Sequence, residues 1–435
     1  MVKNVVAKLS ILPLLVFIAI YLGTGLYYQA QGIEYAFYQL PSPIAIIPAI
    51  VVAFIVTRRS VSSSVDIFTK GVSDNNIITM CLIYLLAGAF SSVASASGGV
   101  DAVVSAGLSI IPSSFILPGL FIISSIVSTA MGTSMGTIGA IAPIALAVAT
   151  KAGFDLPLTA GVVLSGAMFG DNLSFISDTT IAATKTQGCE MKDKFKENFK
   201  VSMIAGMIVF ILLIFLSPTP QQIEIKEYNI LLVIPYFAIL VLALMGLNVF
   251  VVLFFGIILA GVIGMTQGYG GAAFLQDAYK GFTSMQEIFI LSMLIGGLSE
   301  FIRVDGGLDY ITSKIQSFTN FVAKWNRGLA DQLGIILLAI ISNICIANNT
   351  VAIIVVGPIA KQLAKDGDIE PKRSASLLDI FACVIQGLLP YGAQALLLGA
   401  TFKISPLSVA FSSYYCVILA IVAVTMIIFS KRNKV

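Results

Sequence analysis

The sequence predicts an all-α polytopic membrane protein, and three observations support that prediction. Apolar residues make up 58% of the 435-residue chain, and charged residues make up only 11%. Apolar runs of about 20 residues, the length that crosses a bilayer as a helix, recur along the whole chain. Polar clusters interrupt some of these runs at corresponding places in the two halves of the chain. A soluble domain of this length does not combine these features.

Ten runs have the length and apolar character of membrane crossings. They lie near residues 9–28, 43–57, 77–97, 158–187 and 200–217 in the first half, and 229–245, 248–265, 286–302, 373–402 and 406–430 in the second. Two further runs, at about 115–150 and 332–363, are interrupted midway by "GTSMGT" and "ANNT". The lipid and the protein interior are therefore the expected surroundings of most side chains.

The distribution of Lys and Arg indicates that both interrupted runs are re-entrant hairpins. With two hairpins, twenty-one of the 25 Lys and Arg residues face the cytoplasm and four face outward, a strong positive-inside bias. Treating either hairpin as a full crossing would move a lysine-rich loop to the outer side. The sequence therefore predicts a multi-pass protein of the cell (inner) membrane with both termini in the cytoplasm. The charged stretch 190–200 reads as an interfacial helix on the inner surface.

The two halves resemble each other in sequence. "GGVD" at residues 98–101 recurs as "GGLD" at 306–309, and "PIA" at 143–145 recurs at 358–360. Each half contains five crossings, an odd number, so the second half is predicted to be inverted relative to the first. The expected domains are a first repeat at 1–217 and an inverted second repeat at 229–430. Each has five crossings, one re-entrant hairpin and a broken helix at the centre, at about 158–187 and 373–402. Such repeats are typical of secondary transporters.

The breaks themselves point to a cation site. Irregular backbone at membrane depth is tolerated where it lines a cavity or is buried in protein. The segment "DNLSFISDTT" adds carboxylates, hydroxyls and an amide to the exposed carbonyls of such a break, a set of hard oxygen ligands that suits Na⁺. The chain has no histidine, so proton chemistry near neutral pH falls to carboxylates. The predicted cation- and proton-binding residues are Asp171, Asp178, Asn172, Ser174, Ser177 and Thr179, with Asp171 and Asp178 as the Na⁺ ligands.

A second set of polar residues lies in the other breaks and is predicted to bind a substrate or a second cation. It comprises Thr133, Ser134, Thr137, Asn348, Asn349, Thr350, Asp379, Gln386, Tyr391 and Gln394. Asp379 and Gln386 are seven residues apart on one helix face and read as facing a cavity. The alternative for the residues of the breaks and hairpin tips is that they cap and satisfy interrupted helices. For Asp379 and Gln386 the alternative is a carboxylate that reaches the cytoplasm. For the two aspartates of the first break we favour ion binding, because an amide could cap without the charge.

At "GAMFGDNLSFISDTTIAAT" the sequence resembles the NhaC-type sodium/proton antiporter family of the ion-transporter superfamily, through the pattern GD-x-x-S-x-x-SDTT. The stretch from Leu377 to Gln394 is similar to the second-half segment of that family. "NNT" is also close to the Ser-Asn-Thr hairpin tips of sodium-coupled dicarboxylate transporters, whereas "TSMGT" departs from them. The resemblance covers residues 77–430 and implies an inverted-repeat fold and a homodimer. It leaves the substrate open, because the wider family includes members that handle organic acids or amino acids.

Two functions are consistent with these features. The first is Na⁺/H⁺ antiport by alternating access, in which an intramembrane aspartate holds either a proton or Na⁺. The second is Na⁺- or H⁺-coupled transport or exchange of a small organic solute, an amino acid or a carboxylate. No catalytic Cys/His set, metal cluster or nucleotide-binding loop indicates an enzyme, and the net charge of +3 gives no indication of nucleic-acid binding. No cofactor is expected beyond Na⁺ and H⁺ themselves.

Overall fold

A computed structural model describes the chain over residues 2–33, 36–110, 115–174, 177–217, 228–245, 247–323 and 327–430. Over these ranges the structure consists of helices and their connections, without a β-strand. The predicted all-helical membrane fold is thereby confirmed. The C-terminal Lys431, Arg432 and Lys434, which contribute to the predicted cytoplasmic charge, lie outside the described residues, as do Lys226 and Lys324.

The described residues of the first half form twelve α-helices. They are α1 (Val2–Leu9), α2 (Leu12–Ala30), α3 (Ser42–Ala45), α4 (Ile47–Val56), α5 (Val61–Val72), α6 (Asn75–Ala96), α7 (Gly99–Ile110), α8 (Ile116–Met131), α9 (Ser134–Ala152), α10 (Leu156–Leu173), α11 (Asp178–Gln187) and α12 (Met191–Leu216). A 3₁₀ turn, Ala36–Tyr38, precedes α3. The interrupted run 115–150 corresponds to α8 and α9, and the broken run 158–187 corresponds to α10 and α11.

The described part of the second half begins with a 3₁₀ turn at Ile230–Val233. Its helices are α13 (Ile234–Leu244), α14 (Val249–Thr266), α15 (Gly271–Ser284), α16 (Gln286–Val304), α17 (Gly307–Ala323), α18 (Arg327–Ile346), α19 (Asn349–Asp366), α20 (Pro371–Leu388), α21 (Ala393–Phe402), α22 (Pro406–Phe411) and α23 (Tyr414–Ser430). Seven helical segments of the described chain are long and apolar enough to cross a membrane, and four shorter apolar helices accompany them. The count of ten crossings stays a prediction.

Both interrupted runs turn in the same way. Gly132 ends α8 in the left-handed conformation, and Thr133 then caps α9 by accepting a hydrogen bond from the amide of Gly136. In the second half Ala347 takes the left-handed conformation at φ 55°, and Asn348 caps α19 by accepting from the amide of Val351. A left-handed residue followed by an N-cap reverses the chain while satisfying the backbone groups at the new helix start.

The described chain forms two compact units, each drawn from both halves of the sequence. Unit 1 consists of Met1–Cys81, Ile181–Lys194 and Glu287–Gln386. Unit 2 consists of Leu82–Thr180, Phe195–Gln286 and Gly387–Val435. Unit 1 therefore joins the first helices of the first half to the hairpin α18–α19 of the second. Unit 2 joins α13–α15 of the second half to the hairpin α8–α9 of the first.

Two close helix contacts match across the repeat. In unit 1 a Cβ atom on Gly71 of α5 would collide with the backbone of Gly296 in α16. In unit 2 a Cβ atom on Gly281 of α15 would collide with the backbone of Gly88 in α6. Each contact joins an amphipathic helix of one half, α5 or α15, to a long helix of the other half, α16 or α6. Glycine at the contact permits the close approach of the two helices. The pair of contacts supports the predicted repeat, whose inverted orientation stays a prediction.

Candidate functional site

The first broken helix places a buried carboxylate at its break. Asp171 lies in the last turn of α10 and is only 4% exposed. The C-terminal end of a helix carries a partial negative charge from its unbonded carbonyls, and that charge favours a cation nearby. A carboxylate at this position adds a full negative charge to the same region. The end of α10 is therefore suited to a positive ion.

Hydroxyl groups from both sides of the break donate to this carboxylate within unit 2. Ser134, the first residue of α9, donates to one oxygen of Asp171 at 2.8 Å, and Ser177 donates to the other at 2.5 Å. The hydroxyls of Ser177 and Thr179 are 2.9 Å apart, and the amide nitrogen of Gln394 donates to the Ser134 hydroxyl at 3.1 Å. The structure thus brings residues from three of the four predicted polar breaks together around one aspartate.

The other residues predicted for the first break have structural partners. The carbonyl oxygen of the Asn172 side chain accepts from Ser202 at 2.5 Å, and Ser174 donates to the backbone carbonyl of Thr129 at 2.9 Å. Asp178 begins α11 and its side chain is exposed. These interactions fit the helix-satisfying alternative for Asn172 and Ser174. The two aspartates, which the sequence could not rank, differ in burial: Asp171 is buried and Asp178 is exposed.

At the first hairpin tip, Thr133 and Thr137 act within the backbone of α9. Thr133 supplies the N-cap, and the Thr137 hydroxyl donates to the carbonyl of Thr133 at 2.9 Å. Of the three predicted tip residues, Ser134 donates to a carboxylate. The N-terminus of α9 is thus ordered by its own threonines, which orients Ser134 toward Asp171.

The second broken helix carries a buried ion pair in unit 1. The Lys194 ammonium lies 2.7 Å from a carboxylate oxygen of Asp379, and the two side chains are 1% and 0% exposed. Gln386, seven residues after Asp379, is 2% exposed and donates to the carbonyl of Ala347 at the hairpin tip at 3.4 Å. Both residues are therefore buried, and that they face a cavity stays a prediction. Lys194, which the sequence analysis assigned to the inner surface, neutralises Asp379.

The remaining predicted residues surround the second break and the second hairpin tip. Asn348 caps α19, and the side-chain oxygen of Asn349 accepts from the amide of Thr350 at 3.0 Å. The side-chain nitrogen of Asn349 is buried without a hydrogen-bond partner among the described residues. Tyr391, in the connection between α20 and α21, is 4% exposed.

The residues missed by the sequence reading lie on one face of α12. Lys194, Asn198 and Ser202 are spaced by four residues, and all three are buried. Asn198 donates to the backbone carbonyl of Asn172 at 3.1 Å. The prediction of an interfacial helix at 190–200 was wrong for this face, because the polar residues at four-residue spacing turn inward while their charged neighbours remain outside. That spacing was the available signal.

Comparison with known proteins identifies the family. The model of the Na⁺/H⁺ antiporter family matches residues 3–217 and 220–431. The malate-2H⁺/Na⁺-lactate antiporter of Bacillus subtilis is 27% identical over 341 residues, which cover 71% of this chain and 72% of that protein. The Na⁺/H⁺ antiporter NhaC of Alkalihalophilus pseudofirmus is 30% identical over 215 residues, 48% of this chain and 46% of that protein.

Among solved structures, the YdaH transporter of Alcanivorax borkumensis overlaps 97% of this chain and 99% of its own, with a TM-score of 0.43 and 13% identity. The family match extends through both halves of the chain and includes both broken helices. The chain belongs to the Na⁺/H⁺ antiporter family.

Proposed function

We propose that this protein exchanges Na⁺ for H⁺ across the membrane and that Asp171 carries the exchanged ion. The observation that supports this role is the buried Asp171 carboxylate, to which the hydroxyls of Ser134 and Ser177 donate at the end of α10. A charged carboxylate in a buried site is costly unless a positive charge compensates it. A proton or a sodium ion can supply that compensation, but not both at once.

Mutual exclusion at one carboxylate is sufficient for exchange when the site opens alternately to the two sides. When Asp171 is ionised, the oxygens of Ser134, Ser177 and Thr179 complete a set of hard ligands for Na⁺. When Asp171 is protonated, the site is neutral and the cation leaves. Gln394 donates to Ser134 at 3.1 Å and holds the hydroxyl in place from α21.

Coupled transport of a small organic solute is the second candidate function. The buried side-chain nitrogen of Asn349, which has no hydrogen-bond partner among the described residues, offers a donor that a bare cation cannot use. A carboxylate group can accept from such a donor. The name of the Bacillus subtilis relative describes exchange of malate and lactate with H⁺ and Na⁺. In this second function Na⁺ or H⁺ at Asp171 would drive the solute.

The remaining features of the proposal concern the setting of the site. The protein acts as a transporter rather than an enzyme and needs no cofactor other than the transported ions. It resides in the cell (inner) membrane with both termini in the cytoplasm, which follows from the positive-inside bias. It works as a homodimer of inverted-repeat protomers, as the family resemblance implies.

The substitution Asp171→Asn tests the role of the carboxylate. The amide keeps the size of the side chain but removes the titratable proton and the charge that balances Na⁺. Loss of one partner of a buried charge pair costs about 3–5 kcal/mol, so we expect the apparent Na⁺ affinity to fall by a factor on the order of a hundred or more. The measurement is the Na⁺-dependent pH change in liposomes that contain the purified protein.

Asp155→Asn provides a matched control on the same helix. Asp155 is exposed and caps α10 by accepting from the amide of Leu158, a role that Asn also fills. This variant should exchange Na⁺ like the unaltered protein, and Asp178→Asn should have a smaller effect than Asp171→Asn. Normal Na⁺ dependence in Asp171→Asn would refute the site. Uptake of labelled organic and amino acids in the same liposomes separates the two candidate functions.

A further inference from the structure

Lys194 and Asp379 form an ion pair that is removed from water. Their side chains are 1% and 0% exposed, and the ammonium nitrogen lies 2.7 Å from a carboxylate oxygen. Lys194 lies in the first turn of α12 and Asp379 in the middle of α20, and both belong to unit 1. The desolvation cost of such a pair offsets most of its attraction, so a buried pair is weak evidence for stability. Its presence calls for another role.

The position of Asp379 in the second half corresponds to an apolar residue in the first half. The helices α10 and α20 both contain 18 residues, so their positions can be matched one to one. Asp171 is the third residue from the end of α10, and Gln386 is the third from the end of α20. Asp379 matches Leu164, which is fully buried. The second half thus has the neutral amide of Gln386 at the position of Asp171. Its carboxylate, Asp379, lies seven residues earlier on α20 and pairs with Lys194.

The groups that bind the two carboxylates differ in charge. Neutral hydroxyls of Ser134 and Ser177 donate to Asp171, whereas the positively charged ammonium of Lys194 binds Asp379. Hydroxyl oxygens can turn their lone pairs toward a metal cation. An ammonium group has no lone pair to offer, and its positive charge repels a metal cation. A sodium ion at Asp379 would have to displace the Lys194 ammonium or share the carboxylate with it, against the repulsion between the two positive charges.

We propose that Lys194 is a tethered counter-cation, which keeps the Asp379 position permanently neutral and limits each chain to one exchangeable cation, held at Asp171. This inference rests on the proposed exchange at Asp171 for its consequence on stoichiometry, but not for the pairing itself. The lysine occupies at Asp379 the place that a second sodium ion would take. The broken helices contain two buried carboxylates, Asp171 and Asp379, and only Asp171 then binds Na⁺ during exchange.

Removal of the tethered cation should create a requirement for a free one. Lys194→Ala leaves an uncompensated carboxylate and a cavity the size of the lost side chain. We expect a lower thermal unfolding midpoint of the purified protein, with at least half of the loss restored by methylammonium chloride. Tetramethylammonium chloride at the same concentration controls for ionic strength, because its cation is too bulky for hydrogen bonding to the carboxylate. Equal effects of the two salts would overturn the proposal.

A charge-free variant tests the stoichiometry and remains informative if Lys194→Ala does not fold. Lys194→Met combined with Asp379→Leu replaces the pair by apolar side chains, a change that folded proteins often accept. The Na⁺:H⁺ ratio in liposomes should be unchanged, and the Na⁺ concentration for half-maximal exchange should stay within about twofold, as for independent sites. A changed ratio would show that the pair takes part in ion exchange and would refute the tether.

Lys194→Arg distinguishes a fixed charge from a proton carrier. Arginine remains protonated at all accessible pH values, so a tethered cation tolerates this change whereas a lysine that releases its proton does not. We expect Lys194→Arg to retain H⁺-coupled exchange, and loss of coupling in folded protein would overturn the proposal.

The methylammonium test, repeated with Asp171→Asn as a second substitution, does not depend on Na⁺ binding at Asp171. Rescue there, with normal transport in Asp171→Asn alone, would refute the proposed function but leave the tether standing.

Discussion

Asp171 and Asp379 are both buried carboxylates on broken helices, but the groups that bind them differ. Serine hydroxyls donate to Asp171 at 2.5 and 2.8 Å, and a lysine ammonium lies 2.7 Å from Asp379. Hydrogen bonds to a charged group contribute about 1.5–3 kcal/mol each, and the serine hydroxyls, which are neutral, do not cancel a charge on Asp171. In the proposed exchange, the cation binds this charge.

Ser177→Ala should therefore weaken Na⁺ binding while the chain still folds. The loss of one hydrogen bond to a charged carboxylate, at about 1.5–3 kcal/mol, predicts an apparent Na⁺ affinity lower by a factor of about 10–100. Ser174→Ala is the matched control, because Ser174 lies in the same break but donates to the carbonyl of Thr129. The Na⁺ dependence of exchange in liposomes measures both. Equal losses in the two variants would mean that the break, and not the Asp171 network, sets the affinity.

Single residues were predictable from the sequence where they stand out from their surroundings. Asp171, Ser177 and Thr179 are polar within an otherwise apolar run, and the structure brings them together. Lys194 was not predictable in the same way, because it lies in a run of charged residues that resembles a solvated surface. Its burial depends on Asp379, 185 positions later in the chain, and local pattern cannot reveal such a partner.

The helices show how two halves with little sequence identity form matching elements. Gly132 and Ala347 both reverse the chain in the left-handed conformation, at φ 71° and 55°. A capping residue, Thr133 or Asn348, follows each of them. The order of the long apolar helices and the places where they break were predictable from the apolar runs and their polar interruptions. The amphipathic helices α5 and α15 were not predicted, because they are short and carry polar residues.

The matched glycine contacts give a test of the element packing. Gly71→Ala and Gly281→Ala should each lower the thermal unfolding midpoint, because the new methyl group collides with the backbone of the facing helix. The expected cost is about 1–3 kcal/mol per site. Gly23→Ala in α2 is the control, since a Cβ atom there meets nothing within 4 Å. In a helix interior that change should be neutral or stabilising. Midpoints unchanged in Gly71→Ala and Gly281→Ala would contradict the close contacts.

At the scale of the whole molecule, the compact units do not follow the two halves of the sequence. Unit 1 contains the hairpin of the second half, and unit 2 contains the hairpin of the first. The short motifs that recur in the two halves predicted two repeats. They could not predict that the halves exchange elements, because this exchange depends on long-range packing. The exchange joins each hairpin to helices of the other half. It supports an alternating-access reading, in which equivalent segments of the two repeats take part in one cycle.

The predicted topology can be tested by cysteine labelling of the whole protein. The positive-inside bias places the α11–α12 and α19–α20 connections in the cytoplasm and the α9–α10 connection outside. In a background with the five native cysteines replaced by alanine, Lys192→Cys and Lys365→Cys should react with an impermeant thiol reagent only from the cytoplasmic side. Thr150→Cys should react only from outside. All three positions are exposed, so each cysteine should react after permeabilisation, which serves as the control. Reaction of Lys192→Cys from outside would rule out the re-entrant assignment of α8 and α9, because one further crossing before α12 reverses its orientation.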